Sequence, residues 1–124
     1  MANETLEERN LKVLEMYIAY EKTRDSSRFV SDDDARSAAR QLGEFKSKMA
    51  VPLLVQCIII TNSYDAGVTF RKALEAIGRP ALVAIESAIN QSGFGGFQIY
   101  PGGPARGNLP VAKANIQNSL LSQK

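Results

Sequence analysis

One stretch of this chain is written twice. Ala35-Arg36-Ser37-Ala38-Ala39-Arg40-Gln41-Leu42-Gly43 lies over Phe70-Arg71-Lys72-Ala73-Leu74-Glu75-Ala76-Ile77-Gly78 at a constant offset of 35 residues. Arg36 falls on Arg71, Ala38 on Ala73, Leu42 on Ile77 and Gly43 on Gly78. A proline that opens an apolar run follows each copy: Pro52-Leu53-Leu54-Val55 and Pro80-Ala81-Leu82-Val83. Within a copy the apolar residues recur at three and four positions, the spacing of one helix face. A repeat of this period, made of helical segments that cannot bury their apolar faces alone, marks stacked helix pairs. The expected fold is all-α: a short right-handed α-solenoid of antiparallel helix hairpins, followed by an irregular Gly/Pro-rich C-terminal arm.

The helices can be placed from local signals. Thr5-Leu6-Glu7-Glu8 is a capping box, and it predicts a first helix to about Lys22 with Leu6, Val13, Leu14, Tyr17 and Ile18 inward. Asp25-Ser26-Ser27 is turn chemistry, with Phe29 and Val30 expected against the core. Ser31 or Asp32 caps a second helix, whose Ala35, Ala38, Ala39, Leu42 and Phe45 form its inner stripe; Gly43 is read as its end or bend. Asp32-Asp33-Asp34 suits a helix start rather than a cation loop, because consecutive helix-start carboxylates do not converge. A third helix is expected over about 50–60, although Val55, Ile58, Ile59 and Ile60 also suit a buried strand. The fourth spans about 66–77, with Val68, Phe70, Leu74 and Ile77 inward. The fifth starts at Pro80, with Leu82, Val83, Ile85 and Ile89 inward.

Composition changes after Ser92. Gly93 to Pro104 carries five glycines and two prolines and cannot continue a helix. The expected division is a helical domain over 1–92 and an arm over 93–124, with a short terminal helix from Val111 to Leu121 on the apolar residues Val111, Ile116, Leu120 and Leu121. Three of the 15 basic residues, Arg106, Lys113 and Lys124, and none of the 13 acids lie after residue 90. Phe94, Phe97, Tyr100 and Arg106 are the candidate partner-binding residues, since a passive linker has no need of aromatics at that density.

The paired Arg-x-Ala…Leu/Ile-Gly segments with their Pro-x-Leu-Val followers resemble HEAT repeats, over roughly Asp33–Ile89. They look most like the short bacterial variety grouped with phycobilisome-lyase-type HEAT repeats. That resemblance implies helical hairpins in which the early arginine packs or pairs with an acidic residue of the turn. Arg36 and Arg71 occupy this position, with Asp34 and Asp65 as the implied partners. Two clear copies are fewer than such arrays usually need, and the first helix supplies the missing cover if it is half of a degenerate repeat.

Several chemistries are excluded by composition. With no histidine in 124 residues, Ser-His-Asp and Cys-His catalysis and His metal ligation are absent. Cys57 is the one cysteine and sits in Val55-Gln56-Cys57-Ile58-Ile59-Ile60, the setting of a core thiol. No catalytic residues, cofactor or metal site are expected. The net charge of +2 is thin for nucleic acid, Met49 to Ile60 is too short for a membrane span, and no secretory leader pattern opens the chain. The expected role is therefore a non-enzymatic, cytoplasmic protein–protein interaction scaffold or adaptor, binding a protein partner or a second copy of itself. Two alternatives stand beside it. One is an accessory to a chromophore-lyase-type or other enzyme system, implied by the resemblance alone. The other is a nucleic-acid binder using basic helix faces, Arg36 and Arg71 among them, with the aromatic arm.

Overall fold

The computed structural model describes residues 4–91 and 108–122, which form six α-helices and two short 3-10 turns, with no strand among the described residues. The helices are α1 (Leu6–Thr23), α2 (Asp32–Glu44), α3 (Val51–Ile60), α4 (Tyr64–Ile77), α5 (Arg79–Gln91) and α6 (Asn108–Ser122). Over 51–60 the helix prevails against the β-branched signal: Pro52 occupies the first turn, where its missing amide costs little, and Leu54, Val55, Cys57 and Ile58 are buried.

The caps follow the sequence closely. Thr5 Oγ1 accepts from the Glu8 amide at 3.0 Å, and the Thr5 amide donates to Glu8 Oε1 at 2.9 Å. Ser31 Oγ accepts from the Asp34 amide and Ser63 Oγ from the Ala66 amide. The latter cap draws Tyr64 and Asp65 into the first turn of α4 rather than into the preceding turn. Gly78 ends α4 at φ +83°, a conformation closed to most side chains. Gly43 does not end α2. It is buried inside the helix, where a Cβ would lie 3.0 Å from the Ala73 Cα, and the αL turn falls instead at Lys46 (φ 52°). Gly43 is a contact residue that lets α2 and α4 approach backbone to backbone.

Packing runs through two chains of contact. Helices α1, α3 and α5 touch in that order, as do α2, α4 and α6, and the pairs α1–α2, α3–α4 and α5–α6 join the two rows. The widest of these contacts is α2 on α4, and Ala35, Ala38, Ala39 and Leu42 of α2 and Phe70, Ala73 and Leu74 of α4 are all buried. The sequence repeat takes α2 with α3 and α4 with α5, whereas the broad pairings are shifted by one helix, with α1 partnering α2 and α3 partnering α4.

The C-terminal helix belongs to this core. Leu109, Ala112 and Ile116 are buried at helical spacing in the same cluster as Leu14, Phe70 and Ile85. It starts three residues before the expected Val111, because Pro110 fits a first turn. Val111 and Leu121 face outward. Other expectations are corrected by register. Val83 is 78% exposed, since it lies about 200° around α5 from Ala81, the residue that packs inward. Phe45 caps α2 outside the helical stripe and is exposed, as is Leu6 in the unsupported first turn of α1. Phe29 is exposed too, its ring perpendicular to that of Tyr20 with the centroids 5.0 Å apart. Among the described residues no helix is long and apolar enough to cross a membrane.

Candidate functional site

A groove of about 630 Å³ lies on the outside of the α2–α4 contact. Its position follows from the small residues beneath it. Gly43 and Ala73 bring the two helices close, so the long side chains flanking that seam must rise on either side. From α2 come Arg36, Arg40 and Glu44; from α4 come Tyr64, Asp65, Val68, Thr69, Arg71 and Lys72.

The four cations of the groove are not equivalent. Arg71 is held inside the protein: Nε donates to Asn108 Oδ1 at 2.8 Å and Nη1 to Glu75 Oε2 at 2.9 Å, with little of either side chain exposed. Asn115 also donates to that glutamate, at 2.7 Å. Arg71 therefore clasps α6 onto α4. Arg36 uses Nε alone, donating to Thr69 Oγ1 at 3.0 Å, and Thr69 passes its own proton to the Asp65 carbonyl. The Nη groups of Arg36, and the whole head groups of Arg40 and Lys72, have no hydrogen-bond or ion-pair partner among the described residues. Arg36 is thus held at Nε, with the four Nη N–H donors unpaired among the described residues.

Arg36 and Arg71 accordingly do not take the implied partners Asp34 and Asp65. Asp34 sits in the first turn of α2, its amide held by Ser31, and Asp65 offers its backbone carbonyl. Tyr64, at 69% exposure, puts an aromatic ring on the groove wall. A seam with Arg40 and Lys72 unpaired among the described residues, Arg36 bonded at Nε only, one aromatic and two carboxylates suits recognition of an anionic group, with Arg36 pre-set for a planar two-oxygen acceptor.

The remaining candidates serve the fold. Asp32 accepts from the Tyr17 hydroxyl at 2.8 Å, which joins α1 to the start of α2. Glu7 accepts from the buried Ser47 hydroxyl. Cys57 is fully buried, and burial, with the Glu21 charge second, pushes its thiol well above the ordinary range, away from nucleophilic use. Phe94, Phe97, Tyr100 and Arg106 lie outside the described residues.

Sequence reasoning missed Arg40, Lys72, Tyr64 and Thr69. Arg36 and Arg40 at i and i+4 were a legible basic face. That Lys72 and Tyr64 share it depends on which helices touch, and the chain's own order does not state that. No family model, no curated protein and no solved structure matches this chain.

Proposed function

We propose that this protein is a non-enzymatic interaction module, a short HEAT-like stack of three helix pairs that binds a protein partner through the α2–α4 groove. The observation that carries this reading is the set of cations in the groove: Arg36 anchored at Nε, with its Nη groups, Arg40 and Lys72 all without a partner among the described residues. Charged donors left free at a seam cost nothing while water solvates them, and they confer affinity once a partner carboxylate replaces that water. The solenoid description is supported by the 35-residue offset, which equates α2 with α4, and by the two rows of contact. In such a stack α1 partners α2 and α6 covers the far end, so the two written repeats gain the flanking cover they need. The aromatic residues Phe94, Phe97 and Tyr100, with Arg106, are proposed as a second contact for the same partner.

Affinity capture with the full chain, compared with R40E/K72E, tests the reading. Both side chains are exposed, so the variant is expected to fold and melt like the parent. A partner retained by the parent and lost by the variant supports the module. A partner set identical for the two shows that the groove is not the binding surface.

A further inference from the structure

We infer that the occupant of the α2–α4 groove is an extended acidic peptide segment, one of whose carboxylates takes the Nη face of Arg36 while a second lies between Arg40 and Lys72. The inference rests on the interaction-module reading and specifies its ligand. Three features of the groove point to it.

The first is the geometry of the cations. Arg36 and Arg40 are one helical turn apart on α2, so their Cβ atoms stand about 5–6 Å apart on one face of the helix. Alternate side chains of an extended strand recur at about 6.6–7 Å on one face. Two acidic side chains at i and i+2 of an extended peptide therefore match the Arg36–Arg40 spacing. The forked guanidinium of Arg36, with Nε already held by Thr69 at 3.0 Å, presents its remaining donors in a fixed plane.

The second is the pair of carboxylates in the same lining, Glu44 and Asp65. Against a nucleic-acid strand, with a phosphate at every residue, these two acids repel whatever the cations attract. A peptide places a charge only where its sequence has one, and its amide N–H groups can donate to Glu44 or Asp65. The mixed lining thus selects against a continuous polyanion and for a patterned acidic peptide.

The third is the charge elsewhere on the molecule. The net charge is +2 over 124 residues, and the acids Asp32, Asp33 and Asp34 are exposed at the start of α2. The groove's own positive charge comes from Arg36, Arg40, Arg71 and Lys72. It has the extent of a few side chains rather than of a long backbone track.

The test uses the full chain and a fluorescein-labelled peptide of roughly ten residues, alternating glutamate and alanine, long enough to cross the groove when extended. Fluorescence anisotropy should show saturable binding that weakens by about tenfold or more in R40E/K72E and falls steeply with added salt. Arg36→Lys keeps the charge but loses the fork; it should weaken binding by several-fold while Arg36→Ala weakens it further. Amide chemical-shift changes on titration should fall on α2 and α4 around Ala39, Gly43, Thr69 and Ala76. The proposal is overturned by absence of binding to the folded parent, by binding unaffected in R40E/K72E, or by equal binding of a lysine–alanine peptide. It is also overturned if a labelled oligothymidylate of similar length binds more tightly and is released by the same charge reversal, which would make the groove a nucleic-acid site. A captured partner that uses the groove without an acidic segment would leave the interaction module standing and remove this occupant.

Discussion

Tyr17 joins four elements at one buried point. Its ring meets Phe70 of α4 edge-on at 5.7 Å, and its hydroxyl donates to Asp32 of α2 while the Thr61 hydroxyl after α3 lies 2.6 Å away. The tyrosine has one proton, and it goes to the carboxylate, so Thr61 donates to the tyrosine oxygen and in turn accepts the Ser63 amide. Burial first, and the Asp32 charge with it, raises the phenol well above its ordinary value, which keeps it protonated and donating throughout the working pH range. Tyr17→Phe keeps the ring, leaves the buried Thr61 hydroxyl without its acceptor and returns exposed Asp32 to water. It should cost about 1–3 kcal/mol in urea unfolding, whereas a solvent-facing hydroxyl would cost almost nothing. At the first turn of α1 the effect is one of charge. The Thr5 amide, and then its hydroxyl, hold Glu8 below the 4.5 of an ordinary glutamate. A depressed folded-state value gives stability that is present above 4.5 and lost as pH falls through the lowered value. Glu8→Ala should therefore shift the urea midpoint at neutral pH, and the gap to the parent should close in acid; a gap independent of pH would place the capping bond elsewhere.

Helices α2 and α4 carry the repeat, and their contact leaves little tolerance at Gly43. Gly43 sits where a Cβ would press on the Ala73 Cα at 3.0 Å. Gly43→Val adds branched bulk at that seam and should destabilise by about 1–3 kcal/mol, although valine has the better helix propensity. A stabilised variant would mean that the helices stand further apart. Leu42 is fully buried and Ile77 nearly so, so truncation of either to alanine should cost about 2–5 kcal/mol by calorimetry, through lost burial and a residual cavity. These large positions were legible because the repeat aligns them, and the caps at Thr5, Ser31 and Gly78 were legible because their chemistry is local. What escaped was anything set by a neighbour in space. The close approach at Gly43 depends on Ala73, thirty residues away. Arg36 turns to Thr69, and Arg71 to Asn108 and Glu75, where the resemblance implied Asp34 and Asp65. Val83 was assigned inward from its type, and the register of Ala81 and Ile85 overrides type. The groove was half legible: its α2 side appears in the Arg36–Arg40 spacing, but its α4 side needs the packing.

At the scale of the whole molecule, the C-terminal helix decides what the chain is. Residues 108–122 read as part of an arm because a Gly/Pro-rich break precedes them. Yet Leu109 and Ala112 are fully buried, Ile116 almost so, and Asn108 and Asn115 bond the Arg71–Glu75 pair of α4. With Glu75, this neutralises Arg71 internally, whereas the Arg36 Nη groups, Arg40 and Lys72 have no partner among the described residues. The central claim is that α6 shares one cooperative core with α1–α5. Native-state hydrogen exchange on the full chain tests it most directly. The amides of Ala112 and Ile116 should exchange only by global opening, with the same free energy and denaturant dependence as those of Leu42 and Leu74. Exchange at Ala112 and Ile116 that is orders of magnitude faster, through a separate opening with little denaturant dependence, would show α6 to be an appendage and contradict the account.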